Sequence, residues 1–589
     1  MRKTILSLFL ALPFYMTAQD HLYLYMKNGD INEYLISDVD SIVFQERESD
    51  PYEQPIEEPV IVHEEGTTPQ IVTVGDVEVL RSGGWFESGF AEWKAVADAS
   101  GYNVYYKKSD AGAFSRIDAP LVRSYKDCVR ADILGVAAGS YEMKIAPVIG
   151  GKEGSATVVK FDVAAHDRAG FAHFNNSGVG AYKDDGTLKE GAIVLYVTEK
   201  NKNTISQDIY TSSGKTTSCT GISAICSALQ KGYETRPVCI RLIGKVTADG
   251  MTGSGDSNNL LIKSSTAGRP AKNITVEGVG DDATCYGFGV RCVRVQSVEI
   301  RNLGIMLFGD DGIAFETENK YVWVHHNDIF YGTAGSDADQ AKGDGSLDLK
   351  NDSQYMTLSY NHFWDSGKMS LCGMKSETGS NYISYHHNWF DHSDSRHPRV
   401  RTMSVHVYNN YFDGVAKYGV GVTYGASVFV ESNYFRNVSK PMLASKQGTD
   451  AKGAGTFSGE DGGVIKSFNN YYAEKPSSFS FITYKENPTS FDAYEASSRT
   501  EQVPAACKAL AGSSQYDNFD TNAQLMYKYN VTEPEKVAEV VKTSAGRMNG
   551  GDFSWTFNNS VDDADYALNV KLMEAIRNYS SKLVSVSGE

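Results

Sequence analysis

Between residues 310 and 401 the chain gathers carboxylates and cations in an order that could do chemistry: Asp310-Asp311, then Asp344 and Asp348 in KGDGSLDLK, Lys368, and Arg396 and Arg401 in RHPRVR. Grouped carboxylates offer the hard oxygen ligands that calcium takes; the same residues also suit turns in any β protein. Arginines offer planar forks that match a carboxylate. Placed just before a strand, they also serve as a charged edge that blocks stray pairing. His325-His326 and His386-His387 could be imagined as a transition-metal site; with no carboxylate spacing repeating around them, they read instead as alternating strand positions, one ring turned inward and one outward. No C-x-x-C pair occurs, so structural zinc of the thiolate kind is not expected. Cys219/Cys226 and Cys285/Cys292 share a spacing, which fits buried thiols and, in an exported chain, also permits bonding.

What must position these groups is a repeat. Short apolar strands recur, each ending on or near an Asn followed by large apolar residues: Asn302 in VEIRNLGI, Asn327 in VWVHHNDIF, Asn361 in MTLSYNHFW, Asn388 in YISYHHNWF, Asn410 in VHVYNNYF, Asn433 in VFVESNYF and Asn470 in VIKSFNNYY. One coil alone cannot bury its apolar side, whereas stacked coils share one core. An Asn at the same tight turn of each coil can hydrogen-bond to the next and tolerates the left-handed backbone that a sharp turn needs. Residues one coil apart then lie about 4.8 Å from each other, so carboxylates and cations of consecutive coils can line one groove. The strands are rich in β-branched and aromatic residues with no helical period, which argues against a helical or leucine-rich solenoid. The fold class expected is all-β: a parallel β-helix over 167–589.

The preceding residues read differently. Positive charge at Arg2-Lys3, the apolar run Ile5 to Phe14 and Thr17-Ala18 form a signal-peptide pattern over 1–18. Residues 19–48 alternate around Asn28-Gly29 as a hairpin module, and the acidic stretch 49–69 reads as a linker. Residues 70–166 carry short strands and turns, with Trp93, Tyr102, Val104, Tyr106, Tyr141, Met143 and Ile145 in alternating settings, which suggests an N-terminal β-sandwich. It resembles a fibronectin type III domain, read as a spacer instead of a glycan-binding module because no cluster of exposed aromatics is evident in the sequence. Helices are expected at Gly221 to Lys231, Pro534 to Lys542 and Ala567 to Tyr579. The protein should be secreted, periplasmic or extracellular, without a membrane span. The net charge of −17 argues mildly against polyanions and leaves no call for nucleic acid, unless a local basic groove or a bridging metal intervenes.

With these motifs in place, residues 168 to 589 resemble the pectate lyase family of right-handed, single-stranded parallel β-helix enzymes. NITVEGVG, VEIRNLGI, VWVHHN, LDLK, LSYNHFWDSGKMSLCG and YHHNWFDHSDSRHPRVR…VHVYNNYF follow the family's order, and R-x-P-x-x-R is its most specific signature. The resemblance implies that Arg396 is the catalytic base and Lys368 binds the carboxylate of the reacting sugar. It makes Arg401 and Lys350 substrate-binding residues and Asp311, Asp344 and Asp348 ligands of Ca2+. The family's further acidic position falls here on Gly309, with Asp310 beside it, and Trp323-Val324-His325-His326 stands where members often read W-I-D-H. Implied with it is a secreted, monomeric lyase that cleaves α-1,4-polygalacturonate by β-elimination. A calcium-free pectin lyase would have the acidic ligands replaced. A polygalacturonase-type hydrolase would use Asp310-Asp311 as an acid–base pair, but its G-H-G and R-I-K companions are missing. A non-enzymatic scaffold would lack the Asp/Lys/Arg set.

Overall fold

The computed structural model describes residues 77–589, apart from 255–256, 335–339, 380 and 452–455, and the backbone of His21–Tyr25 and Ile31–Leu35. The expected signal segment 1–18 and linker 49–69 lie outside the described residues. The chain divides into two units, Met1–Val60 and Ile61–Glu589. In the first, the two described strands pair antiparallel with Tyr25 opposite Ile31.

In the second unit the repeat winds into parallel β-coils with three faces. Lys320–His325, Gln354–Ser359, Tyr382–His386, Ser404–Tyr408 and Ser427–Glu431 stack as the first face. Asp328–Ile329, His362–Trp364, Trp389–Asp391 and Tyr411–Asp413 form the second. Ile313–Glu316, Leu347–Lys350, Leu371–Cys372, Arg399–Arg401 and Val420–Thr423 form the third. Register carries like onto like: Val322, Met356, Ile383, Val405 and Val428 follow one another across the first face, and Phe363, Phe390, Phe412 and Phe435 across the second. All nine are buried in one continuous core. Alternating strand residues point outward, so the third face presents 314, 316, 348, 350, 399 and 401 while Phe315, Leu349 and Val400 fill the interior.

The asparagine ladder forms with one correction. Asn327, Asn361, Asn388, Asn410, Asn433 and Asn470 join side chain to side chain at 2.9–3.0 Å. Asn302 is not a rung. Its amide turns to the carbonyls of Gly278 and Gly280, and Leu303 takes the rung position, its N–H donating to Asn327 Oδ1 at 3.1 Å. Nor does the left-handed backbone fall on the rung residues: positive φ occurs one residue earlier, at Asn302, His326, Tyr360, His387, Asn409, Ser432 and Asn469. The rung Asn is therefore there for its amide, not for its backbone. That offset also overturns the inward–outward reading of the histidine pairs. His325 stacks on the outward-facing Trp323, and the left-handed turn swings His326 back to the same outer side, against Trp85, Phe86 and Tyr360.

Residues 79–163 form two antiparallel sheets around a shared core that includes Trp93, Val104, Ile133, Met143, Ile145 and Val159. One sheet runs Val79–Trp85, Ser88–Trp93, Val129–Leu134, Val122–Tyr125; its outer strand comes from the far end of the chain, Leu583–Val586, antiparallel to Val122–Tyr125. Ile243 and Val279 of the solenoid complete this core. Polar contacts cross the same junction: Arg130, held by Glu92 at 2.9 Å, donates to Asp281 at 2.7 Å; Arg123, paired with Asp132, donates to the Val279 carbonyl; and Tyr125 Oη donates to Asp282. The helices Ile222–Leu229, Val537–Ser544 and Val570–Arg577 are present. The first packs Ile222, Ile225 and Leu229 into the solenoid core; the third lays Leu572, Met573 and Ile576 against Met306, Phe330 and Trp364 on the outside. All eight cysteines are free thiols.

Candidate active site

The third face and the turn leading into it assemble the site. Backbone bonds knit consecutive coils: Gly312 N–H to Gly345 O at 2.9 Å, Ser346 N–H to Lys368 O at 3.0 Å and Ser370 N–H to Arg396 O at 2.9 Å. Asp311, Asp344, Lys368 and Arg396 therefore adjoin four successive rungs of one ladder. Asp348 enters from the strand itself, where Ala314 stands opposite it on one side, and its Oδ1 accepts the Leu371 N–H at 2.8 Å from the next coil. The expectation that acidic groups, ammonium and guanidinium share one trough rests on this stacking.

At the acidic end, Lys350 donates to Asp311 Oδ2 at 2.6 Å and lies 3.3 Å from Asp348 Oδ2. Burial raises the Asp311 carboxyl well above the usual range, and the Asp348 charge pushes the same way. Burial works against the Lys350 ammonium, but Asp348 and Asp311 outweigh it and raise its pKa. Lys350 thus sits as an internal counterion on two of the expected metal ligands. Asp344, 45% exposed, reaches Lys368 Nζ at 3.4 Å. One oxygen from each of Asp310, Asp311 and Asp344 lies within 4.8 Å of the others. Gly345 is required here: a Cβ on it would sit 2.4 Å from Asp348 Oδ1 and 2.8 Å from Asp311 Oδ1.

At the basic end, the arginines differ. Arg401 is buried with its fork closed on Glu460, Nε to Oε2 at 2.9 Å and Nη2 to Oε1 at 2.7 Å, and its Nη1 donates to the Gly373 carbonyl. Arg399, between the two signature arginines, shares the same carboxylate at 3.1 Å, and Lys375 approaches it at 3.7 Å. Burial lowers the Arg399 pKa. For Glu460 burial works upward, but the Arg401 fork and Arg399 overcome it and hold the carboxyl at about 2. Arg396 is partly buried, and among the described residues no carboxylate pairs with it. The basic groove expected from RHPRVR is thus largely neutralised from within, by a residue that sequence reasoning missed. Glu460 lies in SGEDGG, outside any strand pattern, and nothing in that segment signals that it folds onto Arg401.

Comparison with known proteins follows the geometry. A sequence model of the pectate lyase family matches residues 160–458. The pectate trisaccharide-lyase of Bacillus licheniformis is 31% identical over 237 residues, 39% of this chain and 65% of that protein. Pectate lyase A of Emericella nidulans is 33% identical over 183 residues, 30% of this chain and 55% of that protein. The chain thus spans less than two thirds of the length of either relative. Among solved structures, a pectate lyase from Bacillus sp. N165 in complex with trigalacturonate covers 65% of this chain and 99% of its own, at 22% identity and a TM-score of 0.44. With the family model covering half of its residues, the chain belongs to the pectate lyase family.

Proposed function

We propose that the protein is a secreted, calcium-dependent pectate lyase that cleaves α-1,4-polygalacturonate by β-elimination to 4,5-unsaturated oligogalacturonides. The observation that carries this reading is the ladder that sets Lys368 and Arg396 on neighbouring coils beside Asp311, Asp344 and Asp348. The carboxylates suit a hard cation: oxygens of Asp310, Asp311 and Asp344 converge within 4.8 Å, and the missing Cβ of Gly345 keeps the space between Asp311 and Asp348 open. Asp311, Asp344 and Asp348 would hold Ca2+, which supplies Lewis acidity that draws charge from a uronate carboxylate and acidifies its C5–H bond.

The chain's own groups do the rest. Lys368 donates to the carboxylate of the reacting sugar and stabilises the enolate-like charge as it develops. Arg396 takes the C5 proton; the released electron pair forms the C4–C5 double bond, the C4–O bond breaks, and the leaving oxygen takes a proton from water. A guanidinium is ordinarily protonated, so this role ties turnover to alkaline conditions. Arg401, steadied by Glu460, and Lys350, turning from Asp311, would bind neighbouring carboxylates. The two antiparallel sheets read as a fibronectin type III-like spacer: Trp93 is fully buried, and Tyr141 Oη donates to the Ala137 carbonyl four residues upstream, as in a tyrosine corner. A monomer and a right-handed winding belong to the same reading. No helix among the described residues is long and apolar enough to cross a membrane.

The test is incubation with polygalacturonate while following ultraviolet absorbance of the unsaturated product. Absorbance should rise, stop on addition of a chelator and resume with calcium. Reducing ends without absorbance would mean hydrolysis. A chelator-insensitive rise on methyl-esterified pectin would mean a calcium-free lyase.

A further inference from the structure

Two histidine pairs on the outer side of the first face share a geometry that the lyase chemistry does not use. His325 Nδ1 and His326 Nδ1 lie 2.9 Å apart, and His386 Nδ1 and His387 Nδ1 3.0 Å apart. In each pair the first ring is anchored by its far nitrogen: His325 Nε2 lies 3.1 Å from Glu299 Oε1, and His386 Nε2 lies 3.0 Å from the Ala169 carbonyl. An oxygen acceptor at Nε2 fixes the tautomer that leaves Nδ1 as a bare lone pair, which is how outer partners orient histidines on metals. Consecutive residues of the segment that enters the solenoid then bring a third donor to each pair. His166 joins the first and Asp167 the second, with one ligand atom per residue within 4.8 Å of the others.

The first cluster has the stronger observations. His166, His325 and His326 are 5%, 0% and 1% exposed. Both ring nitrogens of His166, and Nε2 of His326, are buried without a hydrogen-bond partner among the described residues. An unsatisfied buried polar atom costs about 1–3 kcal/mol, and a metal on one nitrogen of His166 would satisfy one of these three. Neutral imidazole is the form that ligates. The nearby cations are matched by carboxylates, Arg168 with Glu87 and Arg301 with Glu277 and Glu299, so a divalent ion meets no uncompensated charge. Three imidazole nitrogens suit zinc and its transition-metal neighbours, not calcium, which takes oxygen.

We propose that His166, His325 and His326 form a transition-metal site of the zinc class that pins the 166–168 segment to the solenoid. On binding, the proton shared between the two Nδ1 atoms moves to the unpartnered His326 Nε2, so the site gains a metal without net proton release.

The test uses the full chain produced in zinc-supplemented medium, dialysed against metal-free buffer, with zinc counted by atomic emission; cobalt substitution adds a visible-absorption readout of the nitrogen ligands. Wild type should retain about one equivalent of zinc per chain. His166→Phe, whose ring can pack beside Phe86, should fall to background while staying folded by circular dichroism. Asp348→Asn should keep its zinc, separating this site from the lyase site. His387→Gln should also keep it, separating this cluster from the second pair. Wild type without zinc and without cobalt bands would overturn the proposal, as would full retention by His166→Phe.

Discussion

Two columns of side chains run along the same stack of coils and differ in what satisfies each residue. At the turn, one residue type repeats: each Asn from 327 to 433 donates to the Oδ1 of the next, and Asn361, Asn388, Asn410 and Asn433 also donate to a carbonyl of the coil before. On the third face the register reads Ala314, Asp348, Leu371, Arg399, Gly421, a new chemistry at every step. There the charged groups are held by unlike partners, Lys350 on Asp311 and Asp348, and Glu460 on Arg399 and Arg401. A neutral column completed by copies of itself has no vacancy for a ligand. A column whose groups are held by exchangeable counterions can trade those counterions for a substrate carboxylate or a cation.

The contrast can be broken at either column. The largest effect is expected from Arg396→Ala, which should lower kcat by about 10²–10⁴-fold, the usual worth of a general base, with the melting temperature unchanged; near-native turnover would remove Arg396 from that role. Next is Asn388→Ala, which strands the Leu358 carbonyl and the amide groups of Asn361. It should cost about 3 kcal/mol in chemical denaturation, with activity per folded molecule retained. Asp348→Asn keeps an acceptor for Leu371 N–H but removes a charge; the calcium needed for half-maximal rate should rise by about tenfold, while a protein that still melts like wild type shows the loss is local. The smallest effect is acid stability. The Glu460 pKa is depressed when folded, so its contribution is complete above the ordinary value of 4.5 and is lost as pH falls toward about 2. In Glu460→Gln the denaturation midpoint should vary less with pH across that window; an unchanged slope would show that the Arg401 fork does not depend on the Glu460 charge.

This difference also explains what was legible in the sequence. A repeating column announces itself, so the coils, their apolar strands and six of the seven expected rungs could be read from spacing. Asn302 misled because the left-handed slot and the rung slot are adjacent and both accept Asn, as Asn409-Asn410 and Asn469-Asn470 show. A non-repeating column has no period to read. Asp311, Asp344, Asp348, Lys368 and Arg396 stand out in the sequence as a dense polar cluster and take their expected roles only from a resemblance, while Glu460 and Arg399 escaped because their pairing is a product of chain return, not of local pattern. The histidine pairs were noticed but given the wrong facing for a related reason: alternation describes a strand, and His326 and His387 lie one step past its end.

The strand Leu583–Val586 gives the molecule an order of assembly. Its partner, Val122–Tyr125, leaves the ribosome more than four hundred residues earlier and must wait with an open edge while every coil is synthesised. The module at 79–163 is therefore fastened by residues made after the coils, like a belt whose buckle is at the opposite end. Moved to another protein without that tail, it would travel with one side of its sheet unpaired.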